Sequence, residues 1–141
     1  MAEAAKELKI KPQPLIAVSD VRVSSRWYCT LLGAEGLAEH PHRTGYDRIS
    51  CQGEILLQLH AWDLEDHPNL VSQDAVPPGH GVLLWFEVRD FDLAVERACA
   101  LGAERIMDPH VNPAPGHREI WLRDPDGYVV VIAGPDGEIQ A

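Results

Sequence analysis

The tetrapeptide Leu-Gly-Ala-Glu occurs twice in this chain, at Leu32 to Glu35 and at Leu101 to Glu104, and each copy closes a stretch with the same order of apolar and capping residues. A duplicated unit is a strong constraint, because both halves must form the same supersecondary structure and bury their apolar faces together. Upstream of the first copy, Leu15-Ile16-Ala17-Val18 reads as a strand, and Val21, Trp27, Tyr28, Leu31 and Leu32 read as a helix. Upstream of the second, Val82 to Val88 reads as a strand, followed by Phe91, Ala94, Val95, Ala98 and Leu101 at helical spacing. Asp20 and Asp90 stand at N-cap positions, and Gly33 and Gly102 stand where a left-handed C-cap is wanted.

Strand and turn signals follow each helix. Arg48 to Cys51 and Ile55 to His60 flank Gln52-Gly53, which suits a tight hairpin. Glu119 to Arg123 and Tyr128 to Ala133 flank Asp124-Pro125-Asp126-Gly127, which specifies a type I turn with a bulge at Gly127. One more strand per half is expected around Leu37 to His40 and Arg105 to Asp108. The stretch after Trp62 holds Pro68, Pro77, Pro78 and Gly79 without a sustained apolar period, and reads as a linker. The expected organisation is an extension over 1–12, a βαβββ module over 13–62, a linker over 63–79, a second module over 80–134 and a tail over 135–141.

Charge narrows the partners. With 22 acidic against 12 basic residues the chain carries a formal charge of −10, which repels phosphate backbones and anionic membranes. No nucleic acid and no membrane is therefore expected, and neutral or cationic small molecules are favoured. No stretch reads as a membrane span or secretory signal, so a cytoplasmic location is the expectation. Cys29, Cys51 and Cys99 lack CxxC spacing and read as small core residues.

Val-Ser-Asp before a helix containing Trp-Tyr, and Arg-Asp-Pro-Asp-Gly-Tyr before the last strand, in two joined βαβββ units, resemble the vicinal-oxygen-chelate superfamily of glyoxalase I, bleomycin-resistance proteins and extradiol dioxygenases. The resemblance implies an α+β fold whose two curved mixed sheets surround a shared cleft with the helices outside. It also implies a homodimer, since a single pair of sheets leaves strand edges open. Enzymes of that superfamily hold a divalent metal at four positions, which in this sequence fall at Gln13, Gln58, Leu83 and Val131. Leucine and valine have no donor atom, and neutral amides are poor replacements for carboxylates. No metal and no cofactor is the resulting expectation. His40, His42, His67, His110 and His117 read as loop or strand-end residues, and His60 shares its strand face with Gln58.

Strand alternation identifies the lining of the cleft. With Gln13 inward, so are Leu15 and Ala17, and with Leu83 inward, so are Trp85 and Glu87, leaving Val82, Leu84, Phe86 and Val88 for the helix side. The bulge at Gly127 sets Trp121 opposite Val131, with Glu119 on the same face. The expected ligand-binding set is Gln13, Gln58, His60, Leu83, Trp85, Glu87, Glu119, Trp121 and Val131. Two tryptophans with nearby glutamates suit a flat aromatic or cationic compound held by stacking. The competing reading is a metal-dependent lyase or isomerase of the glyoxalase type, or a ring-cleaving dioxygenase, with an atypical site. In it Glu87 or Glu119 serves as a general base, its pKa raised by burial beside indole.

Overall fold

The computed structural model describes residues 11–37, 45–64, 67–72, 79–113 and 117–134. The described residues form β1 (Leu15–Val18), α1 (Val21–Leu32), β2 (Tyr46–Cys51), β3 (Glu54–Ala61), β4 (Leu83–Glu87), α2 (Phe91–Leu101), β5 (Glu104–Asn112), β6 (His117–Arg123) and β7 (Val129–Ala133). The fold is α+β, consistent with two βαβββ modules. Residues 1–10 of the extension and the tail over 135–141 lie outside the described residues. No helix among those described is long and apolar enough to cross a membrane.

Local chemistry sets the helix ends. The Asp20 carboxylate accepts from the amides of Arg22 and Val23, and Asp90 accepts from Leu93, so both aspartates cap orphan donors of a first turn. Gly33 (φ 65°) and Gly102 (φ 64°) supply the left-handed residue at which each helix stops. The repeated Leu-Gly-Ala-Glu therefore encodes a helix stop followed by the start of strand pairing. Glu35 bridges Ser50 in the first half, and Glu104 pairs with Arg123 in the second.

The strands form two mixed sheets, ordered β1-β3-β2 and β4-β7-β6-β5. In each, the strand before the helix runs parallel to the last strand of its module, and the hairpin strands run antiparallel. Of the strand expected at Leu37 to His40, Ala38 to His40 lie outside the described residues, and Leu37 belongs to no strand. β5 is longer than the expected Arg105 to Asp108 and carries Pro109. Proline is tolerated there because β5 is an edge strand with register shifts on both sides of Met107.

The helices cover one face of each sheet. Ile16, Val18, Leu57, Leu59, Leu84, Ile120, Leu122, Val130 and Ile132 supply the sheet side of one contiguous core, and Val21, Tyr28, Leu31, Phe91, Ala94 and Ala98 the helix side. Val82, expected on the helix side, is 47% exposed because it precedes β4. Cys99, expected in the core, is exposed on α2, where the Arg105 guanidinium donates to its sulfur at 2.9 Å; Cys29 and Cys51 are half-buried. The halves are tied by buried polar bonds as well as by the core. The Tyr28 hydroxyl donates to Asp124 Oδ2 at 2.7 Å, and the Tyr128 hydroxyl donates to the Ala17 carbonyl at 2.8 Å.

Candidate functional site

The Asp124-to-Gly127 turn decides what faces what on the second sheet. Gly127 N–H donates to the Asp124 carbonyl at 3.0 Å, and Gly127 has φ 99°, so the hairpin closes with a bulged glycine. Trp121 consequently pairs with Val131. The registers then define rows across the face turned away from the helices. One row reads Trp85, Val131, Trp121, Met107 across β4, β7, β6 and β5, and the next reads Glu87, Ala133, Glu119, His110. The face assigned to Leu83, Trp85 and Glu87 is the open one. Leu83 is 46% and Trp85 43% exposed, whereas Leu84 between them is 8% exposed. Val131 is buried even though it lies on this face, flanked in register by the two indoles.

Glu119 lies at the centre of a polar cluster on that face. It is 1% exposed, and its two oxygens are met from several sides. Trp121 Nε1 donates to Oε1 at 2.9 Å, and Asn112 Nδ2 donates to Oε2 at 3.0 Å. His117 Nε2 lies 3.1 Å from Oε2, and His110 Nε2 lies 3.6 Å from Oε1. Burial alone would push this carboxyl up, but the hydrogen bonds from Trp121, Asn112 and His117 together outweigh it and hold Glu119 below the ordinary carboxylate range. The raised pKa expected of a general base at this position is thus replaced by its opposite, because the sheet supplies donors that burial alone does not predict. His117 also packs its ring against Trp85, with centroids 5.6 Å apart.

Gln58 and His60 lie on the first sheet. Gln58 Oε1 accepts from the Tyr46 hydroxyl, and its Nε2 donates to the Gln13 carbonyl at 2.9 Å. His60 Nδ1 lies 2.8 Å from the Ala61 carbonyl, and its ring meets those of Tyr46 and His67. The expected binding residues therefore fall into two groups, Gln13, Gln58 and His60 on one module and the remaining six on the other. A groove of about 1230 Å³ joins part of them, with Gln13, Ile55, Leu83, Trp85, Glu87 and Arg97 in its lining. Trp121, Glu119 and Val131 lie further into the sheet and do not line it.

The residues at the metal positions implied by the resemblance do not fit a divalent ion. Leu83 and Val131 offer no donor, Val131 is covered, and the Gln58 amide is committed to Tyr46 and Gln13. The imidazoles of His110 and His117 approach opposite oxygens of Glu119, and among the described residues no group of three His, Cys, Asp or Glu is arranged to hold a metal.

The cluster itself escapes sequence reasoning. His110 lies within β5 rather than in a loop or at a strand end, His117 stands at a strand end as expected, at the first position of β6, and Asn112 pairs with His117. The one available signal is the spacing of His117 and Glu119, two positions apart and hence on one face of a strand.

The model of the Glyoxalase/Bleomycin resistance protein/Dioxygenase superfamily matches residues 12–132. No curated protein matches the chain. Among solved structures, a glyoxalase/bleomycin resistance protein/dioxygenase family enzyme from Burkholderia phytofirmans PsJN has a TM-score of 0.69 at 21% identity, covering 86% of this chain and 95% of that one. TioX from Micromonospora sp. ML1 has a TM-score of 0.66 at 20% identity, covering 89% and 98%. A lactoylglutathione lyase from Agrobacterium tumefaciens has a TM-score of 0.64 at 19% identity, covering 91% and 95%. At these identities the structural likeness shows the fold alone.

Proposed function

Because the chain belongs to the Glyoxalase/Bleomycin resistance protein/Dioxygenase superfamily, we propose that it is a metal-free member that binds a flat aromatic cation on the open face of its second sheet. The observation that carries this reading is the row Trp85, Val131, Trp121, Met107. Neighbouring strands lie about 4.8 Å apart, so two indoles separated by one strand stand roughly 10 Å apart at their backbones, a span suited to one flat ring system. Indole faces attract aromatic rings and cations alike.

The charge preference comes from Glu87 rather than Glu119. The Glu119 oxygens are engaged by Trp121, Asn112 and His117. Glu87 is exposed, on the same face and beside the groove, and among the described residues no hydrogen bond or ion pair engages its carboxylate. The metal-dependent alternative, a lyase, isomerase or dioxygenase, finds no support in the donor set at Gln13, Gln58, Leu83 and Val131.

Fluorescence titration with 9-aminoacridine, a flat cation, and with acridine-9-carboxylate, an anion of similar shape, tests the reading. The cation binds and the anion binds at least about tenfold more weakly, a difference reduced in Glu87→Gln and by added salt. Equal affinity for both dyes, or an affinity for the cation indifferent to Glu87, contradicts the charge assignment.

A further inference from the structure

We infer that Glu119 is a positioning residue that orders both indoles of the face, Trp121 directly and Trp85 through His117. The binding role of that order rests on the reading above; the order itself does not. Trp121 Nε1 can only donate, and Glu119 Oε1 is its acceptor at 2.9 Å. On the other oxygen, His117 Nε2 at 3.1 Å fixes an imidazole whose ring lies 5.6 Å from that of Trp85. Ala133 stands between Glu87 and Glu119 in register. Asn112, from the neighbouring strand β5, donates to Oε2 at 3.0 Å, and His110 from the same strand approaches Oε1 to 3.6 Å. A carboxylate held on so many sides has little freedom to turn towards a ligand, and it passes its rigidity to the rings around it.

The titratable groups facing Glu119 are His110 from β5, His117 from its own strand and, across Ala133, Glu87 from β4.

The test uses the indole N–H resonances of the full chain, whose four tryptophans give four signals, with those of Trp121 and Trp85 assigned by Trp121→Phe and Trp85→Phe. Glu119→Met, similar in size but without an acceptor, should shift the Trp121 and Trp85 signals and weaken 9-aminoacridine binding by about tenfold. Glu119→Gln should restore most of both, because its carbonyl oxygen still accepts from Trp121 while Asn112 turns its amide and His117 changes tautomer. His117→Ala should move the Trp85 signal and leave that of Trp121 in place. If Glu119→Met does not fold, the wild type still decides: its Trp121 signal should titrate in acid below the ordinary carboxylate range, and that titration should vanish in Glu119→Gln.

A Trp121 signal identical in wild type and Glu119→Met, or indifferent to acid in the wild type, overturns the inference. So does a Trp85 signal that ignores His117→Ala. Failure of the wild type to bind the dye counts against the binding reading alone, since the resonances still report whether Glu119 orders the rings.

Discussion

Glu119 and Asp124 are both shut off from water, but the fold perturbs them in opposite directions. For Asp124, burial pushes the carboxyl up, and the Tyr28 hydroxyl and the amides of Asp126 and Tyr128 only partly offset it. A raised folded-state value contributes stability that is present below the unfolded value and lost as pH rises through the folded one. Glu119, held low, contributes stability that is present above the unfolded value, about 4.3, and lost as pH falls through the folded one. Urea midpoints measured from about pH 6 to about pH 3 should therefore fall more steeply for the wild type than for Glu119→Gln. Parallel curves would exclude a depressed Glu119. Tyr28→Phe strands the Asp124 oxygen that accepts its hydroxyl, and should cost about 1–3 kcal/mol in urea unfolding at neutral pH.

Helix caps and turns were legible in the sequence because they depend on short-range chemistry. Asp20, Asp90, Gly33 and Gly102 each perform the role their residue type suggests. Gly127, with Asp124, is enough to place Trp121 opposite Val131. Asp20→Ala and Asp90→Ala should each cost about 0.5–2 kcal/mol, with Asp20 the larger because it accepts from two amides rather than one. Gly127→Ala meets no atom within 4 Å, so its cost comes from the positive φ alone. It should destabilise by about 1 kcal/mol or more, and a neutral effect would show that the turn relaxes without the bulge. β5 was less legible. Pro109 hides the strand signal, and its position is set by pairing with β6, so His110 and Asn112 reach Glu119 through contacts that no local pattern encodes. Cys99 illustrates the same limit, since apolar character alone does not say which side of α2 meets the core.

The two modules share one core, but their open faces carry different chemistry, a Tyr46, Gln58 and His60 group on the first and the indole row on the second. Sequence alternation placed Trp85, Glu87, Glu119, Trp121 and Val131 on one face of the second sheet, whereas Val82 falls before β4 and is exposed. It did not indicate that Glu119, Trp121 and Val131 stay outside the groove lined by Gln13, Leu83, Trp85 and Glu87, because that relation depends on how the modules pack and not on either strand alone. β1 and β4 stand at sheet edges among the described residues, with Leu15, Leu83 and Trp85 exposed, which supports the proposal of a homodimer. Sedimentation should give twice the chain mass of 15.6 kDa, and a monomer at every concentration would remove that proposal. The claim on which the functional account depends is that Trp85 and Trp121 serve one ligand. Titrating 9-aminoacridine into wild type, Trp85→Ala and Trp121→Ala, with circular dichroism to establish that each is folded, tests it most directly. The account predicts that each variant binds about tenfold more weakly, from the lost stacking and buried area. Folded variants that bind as tightly as the wild type would contradict it.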